Sequence, residues 1–182
     1  MTKKCALLII DMMNDFQFPK GEQLARYADE TVPSISQLKN HFHEREWPVI
    51  YINDHYQLWK ADIALILEHV TNDISDPIIQ KIKPDDKDYF LIKPKHSGFY
   101  GTALNTLLHE LDVKSVAITG VAGNICVFFT ANDAYMREFE VYVPKDAIAS
   151  EEKKYNEYAL EMMERVLNAD VRPVSELIQL LS

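Results

Sequence analysis

The chain has 182 residues, 47% of them hydrophobic and 26% charged, which is enough apolar mass for one domain, residues 1–182, with a substantial core. A formal net charge of −9 and a pI of about 5.1 argue against nucleic acid as a partner, because a phosphate backbone is held by clustered Lys and Arg. Two cysteines, Cys5 and Cys126, point to a reducing compartment, and no stretch reaches transmembrane length, so a cytoplasmic protein without a membrane partner is expected.

The first apolar run, Cys5 to Ile10, reads as a buried strand, too short and wrongly flanked for a signal peptide. A helix is predicted over Thr31 to Glu46, with Val32, Ile35, Leu38 and Phe42 on one face and Pro33 in its first turn. Val49 to Ile52 reads as the second strand and Ala61 to Val70 as a helix. A charged turn from Lys83 to Asp88 leads into a strand over Tyr89 to Ile92, and Ala103 to Leu111 follows as a helix. Val113 to Thr119 is the next buried strand, Asn124 to Glu138 a helix, Phe139 to Val143 a strand and Lys153 to Leu167 a helix. A short strand over Asp170 to Pro173 and a helix over Val174 to Leu181 complete the pattern. Strand runs without polar alternation, separated by helices, imply an α/β doubly wound fold: a mainly parallel six-stranded sheet with helices on both faces.

In such a fold, ligands sit beyond the carboxyl ends of the strands, so polar residues there carry the functional information. Asp11 follows the first strand, Lys93 the third, and Cys126 the glycine-rich turn after Val113 to Thr119. Singly, each has a plain structural reading: Asp11 as a turn or helix cap, Lys93 as a strand end reaching water, Cys126 as a small packed hydrophobe. Together they supply the parts of an activated nucleophile: a carboxylate to take the thiol proton, a cation to hold negative charge, and a helix start that favours thiolate. Backbone N–H groups around Ala122 and Cys126 are placed to hold a developing oxyanion, in a turn that Gly120 and Gly123 permit.

Three segments, Leu7-Leu8-Ile9-Ile10-Asp11-Met12-Met13-Asn14-Asp15-Phe16, Lys93-Pro94-Lys95-His96-Ser97-Gly98-Phe99-Tyr100-Gly101-Thr102 and Thr119-Gly120-Val121-Ala122-Gly123-Asn124-Ile125-Cys126-Val127, resemble in order and spacing the signature blocks of the isochorismatase-like cysteine hydrolases. Val141 to Ala147 resembles a fourth block. The resemblance implies Asp11 as general base, Lys93 as catalytic lysine and Cys126 as nucleophile, a cis peptide at Val121-Ala122, and an oxyanion hole from the N–H groups of Ala122 and Cys126. It implies hydrolysis of a small amide or related C–N bond through a thioester, and a homodimer or higher homo-oligomer. A vinyl-ether hydrolase of the isochorismate type, and a non-catalytic module binding an anion at the glycine turn, remain alternatives.

The chain departs from the family pattern at two places. Gly123 stands where threonine is usual, removing a hydroxyl that could steady the turn or touch substrate. In the stretch Asn53 to Trp59, Asp54 and His55 are adjacent and the next histidine is His69, a spacing unlike the carboxylate–histidine–histidine site of the nicotinamidase branch, so neither a metal nor another cofactor is expected. Phe16, Trp59, Phe99 and Tyr100 are candidate walls of a small-molecule pocket, with Gly123 also at the substrate.

Overall fold

The computed structural model describes residues 4–182. Its sheet has six parallel strands: β1 (Cys5–Ile10), β2 (Val49–Asp54), β3 (Tyr89–Lys93), β4 (Ser115–Val121), β5 (Glu140–Tyr142) and β6 (Ile148–Ala149). They run in the order β3-β2-β1-β4-β5, with β6 pairing to β4 beyond the point where β5 ends. Around them lie α1 (Gly21–Glu44), α2 (Ile63–Val70), α3 (Asp76–Ile82), α4 (Leu104–Glu110), α5 (Phe128–Met136), α6 (Lys153–Leu167) and α7 (Val174–Leu181).

The alternation of side chains along a strand divides the core in two. Cys5, Leu7 and Ile9 of β1 face one cluster with Ile35, Leu38 and Phe42 of α1, Ile78 and Ile82 of α3, and Leu177 of α7. Ala6, Leu8 and Ile10 face the other, with Leu104 and Leu108 of α4, Ala131 of α5 and Met163 of α6. A strand buried on both faces has no use for polar residues. Each fully buried Leu or Ile contributes about 1.5–3 kcal/mol, which explains the uninterrupted apolar run of β1.

Three local expectations need correction. Helix α1 begins at Gly21 rather than Thr31, because Leu24, Ala25 and Ala28 extend its buried face; Pro33 therefore lies inside the helix, not in its first turn. The sixth strand is Ile148–Ala149, whereas Asp170 makes only an isolated bridge to Tyr142. The segment after β4 does not enter an α-helix directly: Gly123–Val127 forms a π-helical turn and α5 starts only at Phe128.

The sheet order reverses direction at β1, whose neighbours are β2 on one side and β4 on the other. The register aligns Ile10 with both Ile52 and Gly120, so Asp11 and the turn after β4 leave the sheet at one level. Asp54 aligns with Lys93, which brings the end of β3 to that level as well.

Candidate active site

Asp11 takes a left-handed conformation, φ 49°, as the chain leaves β1, and its N–H donates to the Ile52 carbonyl at 3.0 Å. This anchors its carboxylate over the end of β2, where Oδ1 accepts the Asp54 N–H at 2.8 Å. The other oxygen, Oδ2, meets Lys93 Nζ at 2.8 Å, with side-chain exposures of only 8% and 2%. Asn53 braces the loop above: its side chain accepts the Met13 N–H and donates to the Met13 carbonyl, at 3.2 and 2.7 Å.

Lys93 Nζ also lies 3.5 Å from Cys126 Sγ, so one ammonium touches both the thiol and the Asp11 carboxylate. The three side chains that the chain order separates by more than a hundred residues thus converge. Burial tends to discharge the Lys93 ammonium, but Asp11 and Cys126 outweigh it and hold its pKa above the ordinary lysine value. For the Cys126 thiol, burial comes first and the Asp11 carboxylate second; both push it up, and Lys93 only partly opposes them. Both influences favour the thiol over the thiolate.

The Cys126 turn has its own geometry. The Val121–Ala122 peptide is cis, and the Ala122 carbonyl accepts both the Ile125 and Val127 N–H groups, at 3.0 and 3.2 Å. Gly120 sits at φ 104°, and a Cβ there would overlap the Ile10 backbone, so the close approach of β1 and β4 requires glycine.

Other expected site residues fall elsewhere. Phe16 is 1% exposed and sealed in the core cluster beneath α1. Phe99 is 5% exposed, its ring tilted 34° against Phe139 at 6.1 Å between centroids, with the Arg137 guanidinium 4.8 Å over its ring. Neither offers surface to a substrate, and both are corrected from pocket walls to core. Trp59, 66% exposed, stacks on His55 at 3.9 Å, while Tyr100 is also exposed and Gly123 is buried in the turn. His55 Nδ1 accepts the Gln57 N–H at 2.9 Å, so its ring is engaged within its own loop. Among the described residues, the group with metal-ligand spacing is His43, Asp85 and Asp88, located at the end of α1 and the approach to β3, where Lys39 already pairs with Asp88 at 2.7 Å.

Two features escaped the sequence reading. His96 Nδ1 lies 4.0 Å from Cys126 Sγ, with its ring stacked on Phe129; its place three residues after Lys93 was the available signal. Ser150 and Asn156 contact the nucleophile turn from behind, and nothing in their spacing announced it.

The Isochorismatase domain family model matches residues 5–174. The chain belongs to the isochorismatase family. It is 58% identical over 174 residues to the isochorismatase family protein YaaI of Bacillus subtilis, covering 96% of each chain. Among solved structures, it is similar to the nicotinamidase SaPncA of Staphylococcus aureus, with 25% identity, a TM-score of 0.73 and coverage of 93% of this chain and 98% of that one. It is equally similar in fold to an N-carbamoylsarcosine amidase from Thermoplasma acidophilum, with 28% identity, a TM-score of 0.73 and coverage of 94% and 96%. These similarities support the hydrolase fold and an enzyme. No helix of the described residues is long and apolar enough to cross a membrane.

Proposed function

We propose that this isochorismatase-family hydrolase cleaves a small amide or related C–N bond through a thioester on Cys126. The observation that carries the reading is the convergence of Cys126 Sγ, Lys93 Nζ and the Asp11 carboxylate, with 3.5 and 2.8 Å between successive groups. Burial and the Asp11 carboxylate favour the thiol over the thiolate, so in this reading its proton leaves as the sulfur attacks, and Asp11, paired with the lysine that touches the sulfur, takes it. Sulfur adds to the carbonyl carbon, the thiol proton passes to Asp11, and the N–H groups of Ala122 and Cys126 take the oxyanion.

Collapse of the tetrahedral intermediate breaks the C–N bond, and Asp11 returns its proton to the departing nitrogen, releasing ammonia or an amine. Water then gives a proton to Asp11 and adds to the thioester; the C–S bond breaks, a carboxylic acid leaves, and the proton returns to sulfur. Lys93 holds the negative charge that alternates between Asp11 and Cys126. The free thiols of Cys5 and Cys126 fit work in the reducing cytoplasm.

The test is a screen of small amides, ureas and isochorismate against the parent, Cys126→Ala and Asp11→Asn proteins, with mass detection of adducts. Turnover of an amide lost in both variants, with an acyl adduct on Cys126 of the parent, is the expected result. Turnover that survives Cys126→Ala but not Asp11→Asn would mean acid-catalysed vinyl-ether hydrolysis instead.

A further inference from the structure

We propose that Ser150 and Asn156 are positioning residues that aim the Cys126 turn from behind, a role that rests on the thiol-hydrolase reading above. Ser150 follows β6 and Asn156 lies in the first turns of α6; neither belongs to the three groups that converge on the sulfur. The Asn124 N–H, two residues before the nucleophile, donates to Ser150 Oγ at 3.1 Å. The Ser150 hydroxyl donates in turn to Asn156 Oδ1 at 2.8 Å. The chain of bonds is half-buried, with its middle member, Ser150, 2% exposed.

Gly123 supplies the complementary half. Its backbone is not in the left-handed region, so glycine is present there for room. A Cβ would overlap Asn156 Oδ1 and would stand 3.0 Å from Ser150 Oγ and 3.1 Å from Ile148 Cδ1. The amide of Asn156 therefore occupies the volume a side chain at 123 would need, and Ser150 provides the hydroxyl that such a side chain could have brought to the turn. The turn is held on its inner side by its own Ala122 carbonyl and on its outer side by this pair. Removing the Ser150 hydroxyl leaves the half-buried Asn124 N–H without its acceptor and frees the backbone that points both sulfur and oxyanion donors.

The experiment compares two probes on the parent, Ser150→Ala, Asn156→Ala and Gly123→Ala proteins, each checked by thermal melting. Iodoacetamide needs an accessible sulfur and its thiolate fraction, but no oxyanion donors. With p-nitrophenyl acetate, sulfur must attack a carbonyl in line with the oxyanion donors: a C–S bond forms, the ester C–O bond breaks, the thiol proton goes to Asp11 and p-nitrophenolate is released. Misaimed reacting groups can cost up to about a hundredfold, so acetylation of Cys126 should fall about tenfold or more in Ser150→Ala and Gly123→Ala, with alkylation within about threefold of the parent. Asn156→Ala, which takes away the acceptor that orients the Ser150 hydroxyl, should show the same split, with acetylation slowed and alkylation within about threefold of the parent.

Acetylation at the parent rate in Ser150→Ala or in Asn156→Ala would overturn the proposal. The Ser150→Ala arm decides it alone if Gly123→Ala does not fold. A parent that is alkylated but never acetylated on Cys126 removes the thiol-hydrolase reading, and the positioning role with it.

Discussion

Asp11 and Lys93 form a buried ion pair across the end of β2, although the strands that carry them, β1 and β3, are not neighbours in the sheet. The pair spans the Asp54 backbone, whose N–H is bonded to the same carboxylate. Such an arrangement couples stability to chemistry, since either charge left alone would be stranded out of water.

That coupling sets the first expectation. Lys93→Met leaves the Asp11 carboxylate without its counter-charge and should cost about 3–5 kcal/mol in urea unfolding, along with all turnover. The Asp11→Asn/Lys93→Met protein, with both charges removed, should regain most of the stability and none of the activity. A double variant no more stable than Lys93→Met would show that the pair contributes little to folding.

In Asp11→Asn, thiol labelling and turnover should move in opposite directions. Burial and the Asp11 carboxylate raise the Cys126 pKa while Lys93 lowers it, so replacing Asp11 by Asn removes a raising influence and leaves the lowering one. At pH 8, Asp11→Asn should therefore react faster with iodoacetamide than the parent, even as hydrolysis disappears, and Lys93→Met should react more slowly. In the parent, the rate should climb about tenfold per pH unit from 7 to 9 without levelling off, because thiolate is the reacting form. A plateau near neutrality would mean a preformed thiolate.

Cys5 offers a separate, purely structural titration. Burial in β1 pushes its thiol from 9.0 to about 12. The folded chain thus binds that proton more tightly than the unfolded chain does; its contribution to stability is complete below pH 9 and is lost as pH rises toward about 12. Tyr51 and Tyr56, whose phenols burial also raises, act with the same sign. Urea midpoints should fall across this alkaline range, and less steeply in Cys5→Ala, despite that variant's lower stability at pH 7. Equal slopes for the two proteins would assign the whole effect to other groups.

Gly120→Ala tests the junction between fold and site. The added Cβ meets the Ile10 backbone at φ 104°, where an L side chain is already strained, and a forced conformation of this kind costs about 1–3 kcal/mol before the overlap is counted. The expected result is a lowered melting temperature and loss of activity together, since β1 and β4 must separate and carry Asp11 and Cys126 apart. A variant that melts like the parent would show that the strands have room to spare.

The sequence exposed the strands well because each is buried on both faces and is written as an unbroken apolar run; β1, β2 and β4 are cases in point. Asp11, Lys93 and Cys126 were legible because each terminates such a run or the turn after it. Phe16 and Phe99 misled because an aromatic beside a catalytic block looks the same whether it faces a cleft or the core, and only packing against α1 or Arg137 distinguishes the two. Helix α3 and strand β6 were missed for want of length: seven and two residues leave too little periodicity to detect. Ser150 and Asn156 act through contacts that depend on how α6 settles against the turn, information no local window contains.

The π turn at Gly123–Val127 makes the direction of the sulfur a question of arc. A π turn is an α-helix carrying one surplus residue, and each residue of an α-helix sweeps about 100° around the axis. Deleting Ile125 would restore ordinary winding while rotating the thiol by roughly that angle away from the ammonium and carboxylate it now faces. A shorter loop would thus give a smoother helix and a silent protein: the chain spends one residue of irregularity to keep its chemistry pointed inward.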